Sequence, residues 1–418
     1  MPHLLRDARR FISVGAFVIL LGCSADRESP SNAKLEGTIN VLVSLDGSED
    51  FAKGKLEEQA LLAKQFAKDF EFVHPEVDIQ IEIARETDLL KKVRDRHDYG
   101  LSPDLMLVRS LAARNLYEAG LSRPATLTSD YNLKLNPGIY QRLLIDDQNL
   151  TGIPVFLFPQ IACYNKERLA RSPDTLNQLL QLSDQGHEMG IELDMVNLFW
   201  TVGSWGGPSA LQALSSNTTP HPLHQRGIQR WLAVLLHVGN HKNVKLFGDQ
   251  EELVRGLISN RLDWITCRSS SLARLRNQMG SRLGVWSLPS GPEGPPSPLL
   301  ISKSWVYGKD SSSNQRRIAE SFVRFSVNPV NQRYISLATE QMLPANQGVP
   351  IAVGRSPSLK AMIISEKQAL HDGSAITTRN WNSVGYKQLR NVTQLVTEMI
   401  YGERSPSQTA TEVLRSFR

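Results

Sequence analysis

An α/β protein of two lobes is what this sequence predicts, and three observations carry the prediction. The chain of 418 residues is too long for a single ordinary hydrophobic core. Strand-like and helix-like stretches alternate along it, which favours α/β layers with a mostly parallel sheet. The stretch Thr151–Leu169, TGIPVFLFPQIACYNKERL, carries Pro159 and Gln160 in the middle of an apolar run. Proline cannot donate to a sheet ladder and a buried amide needs a partner, so two short strands with a break fit the pattern better than one. The chain would leave one sheet and enter another there. A single edge strand with a bulge is the alternative.

The elements follow in order. Thr38–Ser44 alternates and is β-branched, a first strand, with Leu45–Ser48 as the loop at its carboxyl end. Leu56–Phe70 places Leu62, Phe66 and Phe70 on one helical face, and His74-Pro75 stops it. Val77–Ile83 alternates strictly, Thr87–Tyr99 reads as a helix, and Ser102-Pro103-Asp104 leads into the short buried strand Leu105–Val108. The helix Leu111–Ala119 is capped by Gly120. Asp130–Leu150 reads as a loop with turns at Asn136-Pro137-Gly138 and Asp146-Asp147. Helices are expected over Thr175–Gln185, Gln225–Val238 and Gln250–Asn260, and strands over Leu262–Thr266 and Leu283–Leu288. Met195–Gly207 is dense in aromatics and glycine, and Pro289–Pro296 is a stiff connector. Leu299–Val306 is a strand, and helices follow over Gln315–Ser326, Val330–Leu337, Ser358–Leu370, Trp381–Gly402 and Thr409–Phe417.

Residues 1–22 read as a targeting signal. Arg6, Arg9 and Arg10 precede the apolar Phe11–Leu21, whose eleven residues fall short of the roughly 20 that span a bilayer. The segment ends Leu20-Leu21-Gly22-Cys23, which resembles a bacterial lipobox whose cysteine is lipidated. An uncleaved short anchor is the alternative, and both readings place the protein outside the cytoplasm. Residues 23–37 read as a flexible tether. Without the leader the formal charge of +5 falls to +3, and no Lys/Arg run suggests nucleic-acid binding. Cys163 and Cys267 then remain, and in an exported protein they could form one disulfide; the sequence leaves their separation open. The scattered histidines, with no clustered cysteine or carboxylate beside them, make no metal site, and no cofactor is expected.

Gly152, Pro154, Tyr164-Asn165-Lys166-Glu167 and then Pro173-Asp174-Thr175 with Leu179 resemble the first inter-domain crossing of family 1 of the bacterial extracellular solute-binding proteins, the maltose-binding-like receptors of ABC importers. Leu176 stands where that family prefers Trp. The order strand–helix–His74-Pro75–strand, the run from Pro103-Asp104 to Ala119-Gly120-Leu121 and Pro124, the connector Pro289–Pro296, and the closing Gly402–Gln408 turn extend the likeness over about Thr38–Arg418. The resemblance implies a two-lobed periplasmic-binding-protein fold of type II with three inter-lobe crossings. It divides the chain into an N-terminal lobe of 38–155 and 297–344 and a C-terminal lobe of 156–296 and 345–418.

Ligands in open α/β sheets bind beyond the carboxyl ends of strands. Asp46 and Arg109 end strands, Phe156 and Phe158 lie on the crossing, Trp200 and Trp205 fall in the aromatic–glycine stretch, Arg268 and Ser270 begin a helix, and Trp381 sits in the late segment. Aromatic rings suit the C–H faces of sugars, while Asp, Arg and Ser suit the hydroxyls. The resemblance matches Asp46, Phe158, Trp200 and Trp381 to family ligand contacts. Ser270, and Arg109 with Leu111, stand where maltose binders carry Trp or Asp, which argues for a smaller or differently functionalised polar solute. Packing roles for Phe158, Trp205 and Trp381, a helix cap for Asp46 and for the Ser269–Ser271 run, and an ion pair for Arg268 are the alternatives. HExxH, GxSxG and phosphate-loop signatures are absent. The expectation is therefore not an enzyme but a lipid-anchored substrate-binding protein of an ABC importer, periplasmic or at the cell surface. It acts as a monomer that carries a carbohydrate or sugar-like osmolyte to permease subunits with a separate ATPase, bound to the membrane through its N-terminal lipid and to no nucleic acid. A receptor for an anion or polyamine, a glycan-processing enzyme, or a receptor feeding a sensor are the rivals.

Overall fold

The computed structural model describes residues 34–45, 53–128, 131, 133–215, 218–354, 356–372 and 383–416, and every element below belongs to the compact body Glu36–Arg418. The expected signal peptide and Cys23 lie outside the described residues.

Fourteen strands are described: β1 (Gly37–Leu45), β2 (Val77–Arg85), β3 (Leu105–Arg109), β4 (Ser122–Arg123), β5 (Ala125–Thr126), β6 (Asn149–Leu150) and β7 (Ile153–Phe158), then β8 (Gln160–Asn165), β9 (Met189–Glu192), β10 (Val244–Phe247), β11 (Trp264–Arg268), β12 (Leu283–Trp286), β13 (Ile301–Gly308) and β14 (Leu343–Pro344). One sheet runs β14-β7-β13-β3-β1-β2 with β4 on β13, a second runs β10-β9-β11-β8-β12, and β5 pairs with β6. The break at Pro159 does separate two strands, and they lie in different sheets. Strand pairing keeps Phe156–Phe158 in the first sheet, so the chain changes lobes at Pro159 rather than after 155.

The other two crossings are placed by their hydrogen bonds. Ser297 is held to the second lobe, its hydroxyl donating to Phe199 O (2.8 Å) and its N–H to Trp200 O (2.9 Å), and Leu299 belongs to that lobe's core. Leu300 O instead accepts from Arg142 of the first lobe, so the return falls between 299 and 300, not at 297. Ala345 N–H donates to Val155 O (3.0 Å) and Gln347 N–H to Lys134 O (2.8 Å), which keeps these residues with the first lobe beyond 344. The helix Pro357–Asp372 then packs on β8 and β12 of the second.

The sheets are mixed, not mostly parallel. β1 runs parallel to β2 and β3, and β9 to β10 and β11, as the alternating helices require. β7, β8, β12, β13 and β14 flank the crossings and pair antiparallel, because a chain arriving from the other lobe enters the sheet from its far end.

Local chemistry explains the motifs. A Cβ on Gly152 would lie 2.7 Å from Trp305 O, so only glycine admits the approach of β13. Asn165 donates from Nδ2 to Asn260 Oδ1 (2.9 Å) and accepts from Glu167 N–H (3.0 Å), ending β8 in a turn. Thr175 and Gln178 form a reciprocal capping box on the helix Leu176–Asp184, and Ser312 with Gln315 does the same for Ser313–Val327. Phe66 and Phe70 of the helix Lys53–Val73 reach the first-lobe core, where Phe70 meets Phe322 edge-on at 5.3 Å and Phe322 meets Trp305 at 5.4 Å. Asp130–Leu150 is not all loop. Asn136 Oδ1 accepts from Gly138 N–H (2.9 Å) with Pro137 in the first turn, and the helix Pro137–Leu143 follows.

Cys163 on β8 and Cys267 on β11 are fully buried and disulfide-bonded, with Cα atoms 5.8 Å apart and a sequence separation of 104. The bond ties the strand entering from the first lobe to the strand that ends at Arg268. Replacing both cysteines with alanine is expected to lower unfolding free energy by about 2–4 kcal/mol. Denaturant titration of the oxidised chain, the reduced chain and the double variant checks this; an unchanged midpoint in all three refutes it.

Candidate functional site

Ends of strands from both sheets converge on one pocket of about 200 Å³. The first lobe supplies Arg109 and Ser110, where β3 passes into the helix Ser110–Glu118, together with Arg142 from the helix Pro137–Leu143 and Ser302 at the start of β13. The second lobe supplies Glu192 at the end of β9, Asp194 and Asn197 just beyond it, and Arg268 at the end of β11. Another cavity, of about 240 Å³, is lined by Asn40, Gln80, Glu82 and Arg96 of the first lobe alone, with Glu82 engaged by Lys92 and Arg96. A ligand there would touch one lobe and could not couple to closure.

The pocket wall is a connected polar network. Arg268 Nη2 donates to Glu192 Oε1 (3.1 Å) and Arg268 Nε to Asn197 Oδ1 (3.3 Å). Asn197 Nδ2 donates to Asp194 Oδ1 (3.3 Å), and Asp194 also accepts from Val196 N–H (3.0 Å). Asn197 O accepts from Gln160 Nε2 (2.8 Å), so the amide that looked out of place in the crossing anchors the site. Across the cleft, the hydroxyls of Ser110 and Ser302 are hydrogen-bonded to each other and Ser110 reaches Ser304 at 3.2 Å. Arg142 Nη1 donates to Leu300 O, and burial pushes the Arg142 pKa down to about 9.

Glu192 is the electrostatic centre. Its residue is 4% exposed, and burial pushes its carboxyl up to about 7, against the pull of Arg268 and Arg109 and with added repulsion from Asp194 and Asp249. Its Oε2 is buried and has no hydrogen-bond partner among the described residues.

Of the residues expected in the site, Arg109 and Arg268 meet in the pocket. Phe156 does not: it is buried in the first lobe and stacks on Phe66 at 5.9 Å. Trp200 is likewise core, packed with Leu176, Leu288 and Trp205, because its short helix Trp200–Gly203 turns the ring inward. Ser270 is exposed in the turn Ser269–Ser271 and stands off the pocket wall. Phe158 is half-buried beside Ile301 at the pocket edge. Asp46 and Trp381 lie outside the described residues. Arg142 and Glu192 are among the pocket-lining residues that sequence reasoning missed, with Asp194, Asn197 and Ser302. The first is betrayed by the Asn136-Pro137 helix start, the second by the strand β9, short and interrupted by Gly190. A Cβ at Gly190 would lie 2.6 Å from Leu253 Cδ2, so a larger residue there would push on the leucine side chains packed against β9.

A family model described as bacterial extracellular solute-binding protein matches residues 62–361. No curated protein sequence matches the chain. The GacH receptor of Streptomyces glaucescens GLA.O, solved unliganded and with acarbose, superposes with a TM-score of 0.70 at 15% identity over 92% of this chain and 98% of that one. The maltose-maltodextrin binding protein of Alicyclobacillus acidocaldarius gives 0.65 at 16% over 91% and 100%. An ABC transporter solute binding protein from Thermotoga lettingae TMO, bound with alpha-D-tagatose, gives 0.66 at 12% over 91% and 100%. At these identities the likeness shows the two-lobed fold.

Two outcomes follow from the placements. Trp200→Ala should lower folding stability by about 3–5 kcal/mol, measured by denaturant unfolding, since it empties a core site; full stability with altered ligand affinity would contradict the placement. For Glu192, the folded chain holds a proton that the unfolded chain releases above the ordinary value of 4.5. The stabilisation is complete below that value and is lost as pH rises towards about 7, amounting to a few kcal/mol. Thermal unfolding of the wild type and Glu192→Gln between these limits should show the variant gaining relative stability with pH; parallel curves would exclude a raised Glu192.

Proposed function

Since the chain belongs to the bacterial extracellular solute-binding protein family, we propose that it is the lipid-anchored substrate-binding protein of an ABC importer, capturing a small carbohydrate or sugar-like solute between its lobes. The observation that carries the reading is the pocket walled by strand ends of both sheets, since a solute touching both lobes favours the closed form by its differential contacts. The bodies that close are the lobe built on the sheet of β1–β4, β7, β13 and β14 and the lobe built on β8–β12, and the hinge is where the chain passes between them, at 159, at 299–300 and after Gln347. Anchoring is through Cys23, in the lipobox-like Leu20–Cys23, at the outer face of a membrane. The closed form is presented to permease subunits, and a separate ATPase supplies the energy.

Pocket volume and lining narrow the solute. About 200 Å³ falls below the ~300–1,000 Å³ of pockets for drug-sized ligands, which suits a monosaccharide-sized molecule. Guanidinium, carboxyl, amide and hydroxyl groups share the described lining with Leu111, Val196, Leu300 and Ile301, a mixture that addresses both the hydroxyls and the C–H faces of a sugar-like solute. Acarbose and tagatose, held by proteins of the same fold, are consistent with that class.

A thermal-unfolding screen of the full chain against neutral monosaccharides, polyols, sugar acids, polyamines and inorganic anions tests the reading. A solute that binds only the folded form raises the melting temperature by mass action. Arg268→Ala should weaken that solute by about 1.5–3 kcal/mol through the lost charge-assisted contact. A response confined to polyamines, or no response to any class, rejects the carbohydrate reading.

A further inference from the structure

Three side chains of the second lobe form a row on the pocket wall, with Asn197 in its middle. Asn197 Oδ1 accepts from Arg268 Nε (3.3 Å), and Asn197 Nδ2 donates to Asp194 Oδ1 (3.3 Å). Its backbone O accepts from Gln160 Nε2 (2.8 Å), which ties the row to the crossing. The two side-chain partners fix the amide's orientation, because turning it over would set donor against donor and acceptor against acceptor. Asn197 is buried, so the planar amide holds a guanidinium on one side and a carboxylate on the other at a set spacing.

Both outer residues keep bonding capacity in reserve. Arg268 spends Nε on Asn197 and Nη2 on Glu192, and its Nη1 has no partner among the described residues. Asp194 spends Oδ1 on the donors of Val196 and Asn197, and its Oδ2 has no partner among the described residues. Neither atom is buried, whereas Glu192 Oε2 is. The other charged groups of the lining are committed: Arg142 donates to Leu300 O, Arg109 has partners of its own, and Glu192 is paired with Arg268. Burial pushes the Glu192 carboxyl up to about 7, so below that pH it adds little charge. The row thus offers one free donor on a cation and one free acceptor on an anion. A hydroxyl both donates and accepts, so a neutral hydroxyl-bearing group satisfies the two together. A carboxylate only accepts; it suits Arg268 and sets a like charge against Asp194. An ammonium only donates; it suits Asp194 and is repelled by Arg268.

We infer that Asp194 and Arg268, spaced by Asn197, are the charge filter of the pocket: together they take a neutral, hydroxyl-bearing part of the solute and turn away analogues that carry a carboxylate or an ammonium there. The inference rests on the solute-capture reading of the same pocket and names the residues that set its specificity. Asn197 is the positioning residue of the pair, and Asp194 and Arg268 are its two contacts with the solute. Each contact excludes the class of analogue that the other alone would welcome.

Calorimetric titration of the full chain with two matched sets tests this: D-glucose, D-glucuronate and D-glucosamine, and D-galactose, D-galacturonate and D-galactosamine. The titrations are run at about pH 6, where the amine is protonated and the carboxyl ionised. In at least one set the parent sugar should bind about tenfold or more tighter than both charged analogues. Asp194→Asn keeps an oxygen for the Val196 and Asn197 donors and removes the charge; it should cut the parent-to-uronate affinity ratio by about tenfold and leave the amino sugar excluded. Arg268→Gln should do the reverse, cutting the parent-to-amino-sugar ratio by about tenfold and leaving the uronate excluded. A residue that only supported the fold would move all three sugars alike, and unfolding transitions read on the same samples separate lost binding from lost folding. A charged analogue that binds the wild type as tightly as its parent, or ratios that stay fixed in both variants, overturns the inference and leaves solute capture standing. Silence from all six sugars overturns the inference, and silence across the wider solute screen as well overturns the capture reading.

Discussion

A chain that must pass between two sheets cannot leave buried peptide groups unpaired, and the crossing at Pro159 meets that constraint with side chains. Pro159 O accepts from Ser269 N–H (3.0 Å), Gln160 O accepts from the Ser365 hydroxyl (2.6 Å), and the Gln160 amide donates to Asn197 O (2.8 Å). An unpaired buried amide would cost about 1–3 kcal/mol, so each partner is fixed in place by the crossing it serves. Asn197 in turn fixes Arg268, and Arg268 fixes Glu192. The pocket wall is thus an extension of the hinge's own hydrogen bonding. A solute that contacts Arg268 acts on a group two hydrogen bonds removed from the crossing.

The same economy explains why the site tolerates a buried carboxyl. A fully ionised Glu192 would need its Oε2 paired, and the described residues give it nothing. Holding the proton lowers the desolvation penalty, and the ion pair with Arg268 becomes in part a hydrogen bond to a neutral acid. The backbone groups of the crossing are paired within the protein, while Glu192 meets its burial by holding a proton.

Much of the fold was legible because it rests on local signals. The strand break at Pro159-Gln160, the alternation of β2, the helix stops and the connector before residue 297 are each short-range consequences of proline, glycine and side-chain period. Direction within the sheets was not legible, since whether β13 enters parallel or antiparallel depends on where the chain arrives from. The aromatic candidates misled for a related reason. Phe156 and Trp200 have the chemistry of a sugar platform, but their elements turn them into the lobes, and periodicity over so short a span does not report which way. Arg109 and Arg268 were found because a strand end is readable. Arg142 and Glu192 were not, because a seven-residue helix looks like a turn and a four-residue strand like a linker.

These misses bear on how the cleft discriminates. With Phe156 and Trp200 in the core, the described wall offers charge and hydrogen bonds rather than rings, and such groups act at short range with strict geometry. An aromatic floor tolerates many sugars, because every pyranose has a C–H face; a wall of arginine, carboxyl and amide rejects a solute that leaves one of them unpaired. Because the groups are shared between two lobes, the rejection is also mechanical. A solute that contacts only one lobe has no differential affinity with which to shift the population.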